Sequence, residues 1–504
     1  MKLGSLSGGL PCRLAICLLS GLTLVPGQSL SEFEKTVTEF TLPNGLHFII
    51  IERHQAPVVS FNTYVNAGSV DDPRGKTGIA HMMEHMAFKG TETIGSKNWP
   101  LEKKALAQIE AAYDKLSAEQ KKGSAADKKK LEALEAGLTQ AIDKAETYVE
   151  PNEYDKVVEQ NGGVGLNAGT SEDSTNYYYS FPANRAELWF LLESERFLQP
   201  VFRQFYKERD VVREERRMRV ESSSQGLLVE KMLMTTFDQH PYGIGPGGLA
   251  EDIENFRMPE AFAFFRKYYV PQNITVGIAG DVDPKECRRL AEKYFGRLPG
   301  RPAPPAVSVV EPPQKSERRV SIAHKDQPIL VIAYRRPSQS DPDDLALDVA
   351  SEILAGGRTS LMYRELVRDQ KVALAAGAQS SFPGDKYPNL FLLFVVPNMG
   401  RTVEESEKAS LALVERIKTE IDKGALERVK TKLRAGLIRR LDSNNGLAGD
   451  LTAYHAAFGT WKRMFTDIQE MQKITSEDVM RVARKYLVAE NRTVAWTYQP
   501  KEGK

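Results

Sequence analysis

The chain has 504 residues, too many for one ordinary domain and enough for two to four. Apolar residues make up 41% and charged residues 27%, the balance of a soluble globular protein. A formal net charge of +1 gives no electrostatic reason to expect nucleic acid or an anionic membrane as a partner.

The N-terminus is built differently from the rest. Lys2 and Arg13 flank a short polar stretch, an apolar run follows from Leu14 to Val25, and Pro26, Gly27, Gln28 and Ser29 come next. A basic region, a short hydrophobic region and small residues are the plan of a secretory signal, here 1–29 with cleavage around Ser29. The run is too short to cross a bilayer comfortably, and no later run is long and apolar enough to span one. Removing the segment takes away Cys12 and Cys17 and leaves Cys287 alone, so no intrachain disulfide is expected. Export without disulfides at this size fits a bacterial periplasm.

In Val59, Phe61, Thr63, Val65 and Ala67, apolar residues alternate with more polar neighbours, which predicts a half-buried strand. Residues 78–91 then read GIAHMMEHMAFKGT. On a helix His81 and His85 lie one turn apart, and Glu84 shares their face. Ile79, Met82, Met83 and Met86 form a second stripe, so the helix is expected to be covered on both sides. Buried imidazoles need partners, and a metal ion serves two at once. Residues 101–149 are rich in Lys, Glu, Ala and Leu, with Gly123-Ser124 in the middle. They predict a charged helical hairpin inserted into the first domain and lying on its surface as a solvated arm.

Two histidines leave a zinc site short of the three protein ligands usual in catalytic centres. The 206–220 segment, YKERDVVREERRMRV, places Glu208, Val211, Val212 and Glu215 at i, i+3, i+4 and i+7. Carboxylates on an apolar stripe are either metal ligands or paired with arginines, and periodicity favours neither reading over the other. Glu214 competes with Glu215.

Further along, RKYYVPQNITV at 266–276 and RKYLVAENRTV at 484–494 agree at seven of eleven positions, at an offset of 218. Each segment leaves a helical pattern and enters a β-rich one, which predicts two copies of one domain. They are divided into 30–297 and 316–504 by a Pro-rich linker at 298–315. Ile329 to Tyr334, an apolar run after Pro328, opens the second copy as a strand. The expected fold class is α+β: two tandem homologous domains, each a mainly antiparallel sheet with helices packed on it.

The HMMEH core resembles the pitrilysin/insulinase metallopeptidases, the inverzincins, whose mark is H-x-x-E-H. The likeness extends to Asn66-Ala67-Gly68-Ser69, Phe88-Lys89-Gly90-Thr91, Leu166-Asn167-Ala168, Thr175-Asn176-Tyr177-Tyr178, His240-Pro241-Tyr242 and Gly280-Asp281-Val282. It covers roughly residues 32–500 outside the insertion. The resemblance implies one zinc ion per chain, held by His81, His85 and Glu215, with Glu84 as the catalytic base and Glu208 behind the ligands. It also implies that substrate adds as a β-strand near Asn167 and Ala168. The second copy holds only His324 and His455 and cannot build a site of its own. In active relatives the second domain or a partner supplies an arginine and a tyrosine seven apart. Here those positions fall on Val367 and Leu374, or on Arg368 and Ala375 in the shifted register, and neither register keeps both residues. The expectation is therefore an exported zinc endopeptidase acting on unfolded peptides, as the catalytic subunit of a heterodimer with a second family member. A homodimer remains open. The alternative is a non-catalytic peptide-binding or assembly subunit of the same fold.

Overall fold

A computed structural model describes residues 30–500. The expected signal segment, with Cys12 and Cys17, lies outside the described residues. The fold is α+β and rests on two sheets. The first contains β1 (Val37–Thr41), β2 (His47–Glu52), β3 (Val58–Val65), β4 (Val164–Thr170), β5 (Thr175–Pro182) and β6 (Ile274–Gly280), in the order β1-β2-β6-β3-β5-β4. The second contains β7 (Arg318–Ala323), β8 (Leu330–Arg336), β9 (Ala373–Phe382), β10 (Asn389–Pro397) and β11 (Arg492–Tyr498), in the order β7-β11-β8-β10-β9. β2 runs parallel to β6 and β7 parallel to β11, while the remaining neighbours are antiparallel. Apart from β1, the two sheets are wired alike.

The repeated segments lead into the equivalent strands β6 and β11. In the first copy the helix Met258–Tyr268 passes through a turn at Pro271–Asn273. In the second, the helix Ser476–Tyr486 passes through a turn at Ala489–Asn491. The asparagine common to both has a structural task. Asn273 Nδ2 donates to the Tyr268 carbonyl at 2.9 Å, and Asn491 Nδ2 to the Tyr486 carbonyl at 3.5 Å. Each closes the end of the helix, where carbonyls lack partners within it.

β3 departs from expectation. It is covered on both faces, and even Asn62 and Thr63 are buried. The cover comes from the other half. The helix Asn444–Phe458 lies across β3 and β6, and Asn62 Nδ2 donates to Thr452 Oγ1 at 2.7 Å. Gly277 permits the approach, because a Cβ there would fall 2.4 Å from the Ala448 carbonyl oxygen. The exchange is mutual: the helix Ser224–Thr236 buries Leu228, Met232 and Leu233 against Val331, Ala333, Leu390 and Leu392 of the second sheet. Each sheet completes its core with a helix from the opposite half. The Pro-rich stretch from 298 to 317 has neither helix nor strand. Glu311 anchors it, accepting from the backbone N–H groups of Asp238, Gln239 and His240 at 2.8, 2.9 and 2.8 Å.

The insertion forms two helices, Trp99–Gln120 and Lys128–Glu146, joined through Gly123–Ala125. It is not a solvated arm. Ala105, Ile109, Tyr113 and Ala145 belong to the first domain's core. Glu102, fully buried, holds Arg203 Nε at 2.7 Å. The Arg203 guanidinium also donates to the Ile94 and Thr91 carbonyls at 2.8 and 2.7 Å. A charged composition conceals a helix face spaced for burial: of its two buried carboxylates, Glu102 is matched by a distant arginine and Glu119 by Lys122 and Lys130.

Candidate metal centre

The helix Ile79–Met86 starts at Gly78, whose φ of 92° is left-handed and suits glycine. Asp72 caps that end, accepting from Gly78 N at 2.6 Å and Ala80 N at 2.9 Å. Ile79, Met82, Met83 and Met86 sink into the first core, which turns His81, Glu84 and His85 the other way. The helix Phe205–Arg216 packs opposite, anchored by the buried Val212. Val211 is 46% exposed and lies off this face. The stripe that meets the histidines is therefore Glu208, Val212 and Glu215, narrower than the sequence pattern predicts.

Glu215 Oε2 lies 3.4 Å from His85 Nε2 and 3.8 Å from His81 Nε2. One ligand atom from each of the three side chains falls within 4.8 Å of the others. Zinc bonds of about 2.0–2.1 Å at tetrahedral angles place neighbouring ligand atoms about 3.3 Å apart, so a slight contraction closes this triad on an ion. The donor set of two imidazoles and a carboxylate suits zinc. Glu214 points away, exposed and paired with Arg217 at 2.8 Å.

Behind the triad, Glu208 Oε2 meets His85 Nδ1 at 3.3 Å, and its other oxygen takes the Lys89 ammonium. This orients the imidazole so that Nε2 faces Glu215. Burial pulls the His85 imidazole down, but the Glu208 bond and the charges of Glu208, Glu215 and Glu84 outweigh it and hold it above its usual value. The same carboxylate field favours a dication. Burial, with His85 beside it, keeps His81 below its usual value and hence neutral, the form that ligates.

Glu84 stands outside this group of three. Its Oε2 accepts from Thr170 Oγ1 at 2.7 Å. Thr170 ends β4, the edge strand of the first sheet, which pairs only with β5. Asn167 and Ala168 lie in the same strand, with Asn167 exposed and its Oδ1 accepting from Ala168 N at 2.9 Å. Thr170 also walls a cavity of about 940 Å³ between the halves, lined on the far side by Gln379 and Ser380 of β9. No Arg or Lys lines it among the described residues. Arg368 is exposed and paired with Asp369 at 2.6 Å, Val367 packs on the second core, and Leu374 and Ala375 are exposed on β9.

Sequence reasoning missed three neighbours of the centre: Thr170 on Glu84, Lys89 on Glu208, and Arg219, which meets Glu215 Oε1 at 2.9 Å. Lys89 sits in the FKGT stretch already singled out. Arg219 stands four residues after Glu215, a spacing that pairs side chains on one helix face, so its signal is local; Thr170 carries none, because Glu84 is 86 residues away.

The geometry separates the two rival glutamates. Glu215→Gln is expected to weaken zinc binding at this centre by roughly 100-fold or more, beyond the usual loss from groups that only support a ligand. Glu214→Gln is expected to leave it unchanged. Chelator competition measures both, and equal losses would remove Glu215 from the ligand set.

Residues 47–113 and 122–245 match the family described as insulinase (peptidase family M16), and residues 257–433 match its partner description, the peptidase M16 inactive domain. The zinc protease PqqE of Helicobacter pylori is 28% identical over 460 residues, covering 88% of this chain and 89% of that protein. A probable mitochondrial-processing peptidase subunit beta of Arabidopsis thaliana is 22% identical, covering 91% of this chain and 77% of that protein. The crystal structure of a protease from Helicobacter pylori superposes with a TM-score of 0.77 at 25% identity, covering 92% of this chain and 99% of that one. These matches cover both halves of the chain and agree with its two-sheet architecture, and the chain belongs to the insulinase (M16) family of peptidases.

Proposed function

We propose that this chain is an exported zinc endopeptidase that hydrolyses unfolded peptides, acting as the catalytic subunit of a two-chain enzyme. The observation that carries the reading is the meeting of His81, His85 and Glu215 around one point, with Glu84 beside them and outside the ligand set. His81, His85 and Glu215 would hold one zinc ion in this centre. When bound, the ion supplies an electrophile for the scissile carbonyl and acidifies a water molecule. Glu84 accepts a proton from the attacking water and delivers it to the leaving nitrogen. Thr170 holds the carboxylate in place by donating to one oxygen. The free edge of β4 hydrogen-bonds an extended peptide through its backbone, which makes few demands on side-chain sequence and suits an unfolded chain. The zinc protease name of the Helicobacter relative agrees with this reading.

Two observations favour a role for a partner. Among the described residues the cavity lining carries no cationic side chain, and one relative is itself named as a subunit. They also keep open a second reading, a peptide-binding subunit without activity. Peptide turnover by the purified chain, alone and mixed with a family member that has an arginine–tyrosine pair, separates the two. Aligned donors to the developing oxyanion contribute about 10²–10³-fold each, so a rise of that order on mixing is expected, with loss of activity on chelation. Full activity of a demonstrably monomeric chain would remove the partner. No activity in any mixture would leave the binding-subunit reading.

A further inference from the structure

A second group of metal-ligating side chains lies on the opposite side of the first sheet. Glu39 on β1 and His47 on β2 lie on the same sheet face, since Thr41 pairs with His47 and Glu39 lies two residues before Thr41. This face receives the helices of the second half, among them Asn444–Phe458, which carries His455. One ligand atom each from Glu39, His47 and His455 falls within 4.8 Å of the others. The imidazole rings stack at 3.9 Å and 8°. Glu39 Oε2 lies 3.6 Å from His47 Nε2 and accepts from Trp461 Nε1 at 3.2 Å.

One fact sets this group apart from a packed histidine pair. His47 Nε2 and His455 Nδ1 are both buried and lack a hydrogen-bond partner, a costly state for polar atoms. His47 Nδ1 is 2.9 Å from Thr41 Oγ1, and with Nδ1–H donated there Nε2 presents its lone pair.

We propose that Glu39, His47 and His455 form a second binding site for a zinc-class divalent cation, one that staples the second half's helix onto the first half's sheet. The donor set of two imidazoles and a carboxylate is that of zinc and its first-row neighbours. Stacked rings send their lone pairs out in near-parallel planes, so binding turns one ring about its χ2 while the exposed Glu39 closes on the ion. Among the described residues the group contains no second carboxylate that could act as a base, and its role is structural: both halves supply ligands, so the ion resists their separation. The expected content rises from one ion per chain to two.

The test uses the full chain with zinc or cobalt alone as the probe. The H81A/H85A variant, which lacks the first centre's imidazoles, is expected to retain one ion per chain by metal analysis after dialysis. Adding H47A/H455A is expected to remove that ion. Because alanine at His455 could loosen the packing, Glu39→Gln provides a milder variant, expected to weaken binding in the H81A/H85A background by roughly 100-fold, as loss of a ligand carboxylate should. A folded H81A/H85A protein that binds nothing overturns the site. So does zinc that persists after all four histidines are replaced, and so does unchanged affinity in E39Q. Metal content of H47A/H455A with His81 and His85 intact reports on the first centre separately.

Discussion

Glu84→Gln is expected to lower peptide turnover by about 10²–10⁴-fold while zinc affinity at the His81/His85/Glu215 centre stays as it was. The two readouts separate because Glu84 is not one of the three converging ligands; its Oε2 is engaged by Thr170 at 2.7 Å instead. Glutamine keeps the shape and an oxygen that can accept the Thr170 hydroxyl, so the helix Ile79–Met86 should not move. What the amide lacks is the ability to take a proton from water and return it to the leaving nitrogen. That need arises only on the way to the transition state, so the loss belongs in kcat, with KM nearly constant. Steady-state kinetics beside metal analysis on the same preparation tests this. Turnover within a few-fold of the original would strip Glu84 of its role.

The parts of the molecule that could be read in advance are those whose signal is local. His81, Glu84 and His85 fall within one helical turn and a half, and the Ile79/Met82/Met83/Met86 stripe tells which way that helix must face. The two copies are legible because both make the same helix exit, capped by Asn273 and Asn491. What escaped depends on partners distant in the chain. Alternation in β3 signals one buried face, but it cannot reveal that the Asn444–Phe458 helix covers the other, some 390 residues away at Asn62 and Thr452. The sequence pattern puts Val211 on the stripe with Glu208 and Glu215 because 3.6-residue periodicity cannot separate i+3 from i+4, and only packing against the opposing helix decides for Val212. The hairpin misled through composition. Its lysines and glutamates are mostly solvated, yet Ala105, Ile109, Tyr113 and Leu116 recur at helical spacing along one face and are buried. Glu102 continues that face and is indistinguishable in sequence from its exposed neighbours, because Arg203 lies 101 residues away.

Glu102→Ala is accordingly expected to destabilise the fold by about 3–5 kcal/mol, the usual result of removing one partner from a buried ion pair. Native domains retain only about 5–15 kcal/mol, so this is a large share of the total. The side chains of Arg203 and Glu102 are only 2% and 0% exposed, so solvent cannot replace the lost carboxylate. Arg203 cannot shed its charge, and the Thr91 and Ile94 carbonyls it still holds satisfy only part of the guanidinium. Glu102→Gln keeps a neutral acceptor and should cost less. Deleting residues 101–149 should cost more than either, since it also strips Ile109 and Tyr113 from the core, and the truncated chain is not expected to fold. Urea unfolding followed by circular dichroism reads the two point substitutions in order, with the midpoint moving and the slope nearly constant, and the spectrum without urea reports whether the truncated chain folds. The damage should reach the metal centre, because Arg203 also holds the carbonyl of Lys89, whose ammonium holds Glu208. Weakened zinc affinity in Glu102→Ala, measured under conditions where the protein is still folded, would follow from that chain of contacts. A Glu102→Ala protein within about 1 kcal/mol of the original, or a truncated chain that still folds and binds zinc, would show that the hairpin is the surface arm its composition suggests.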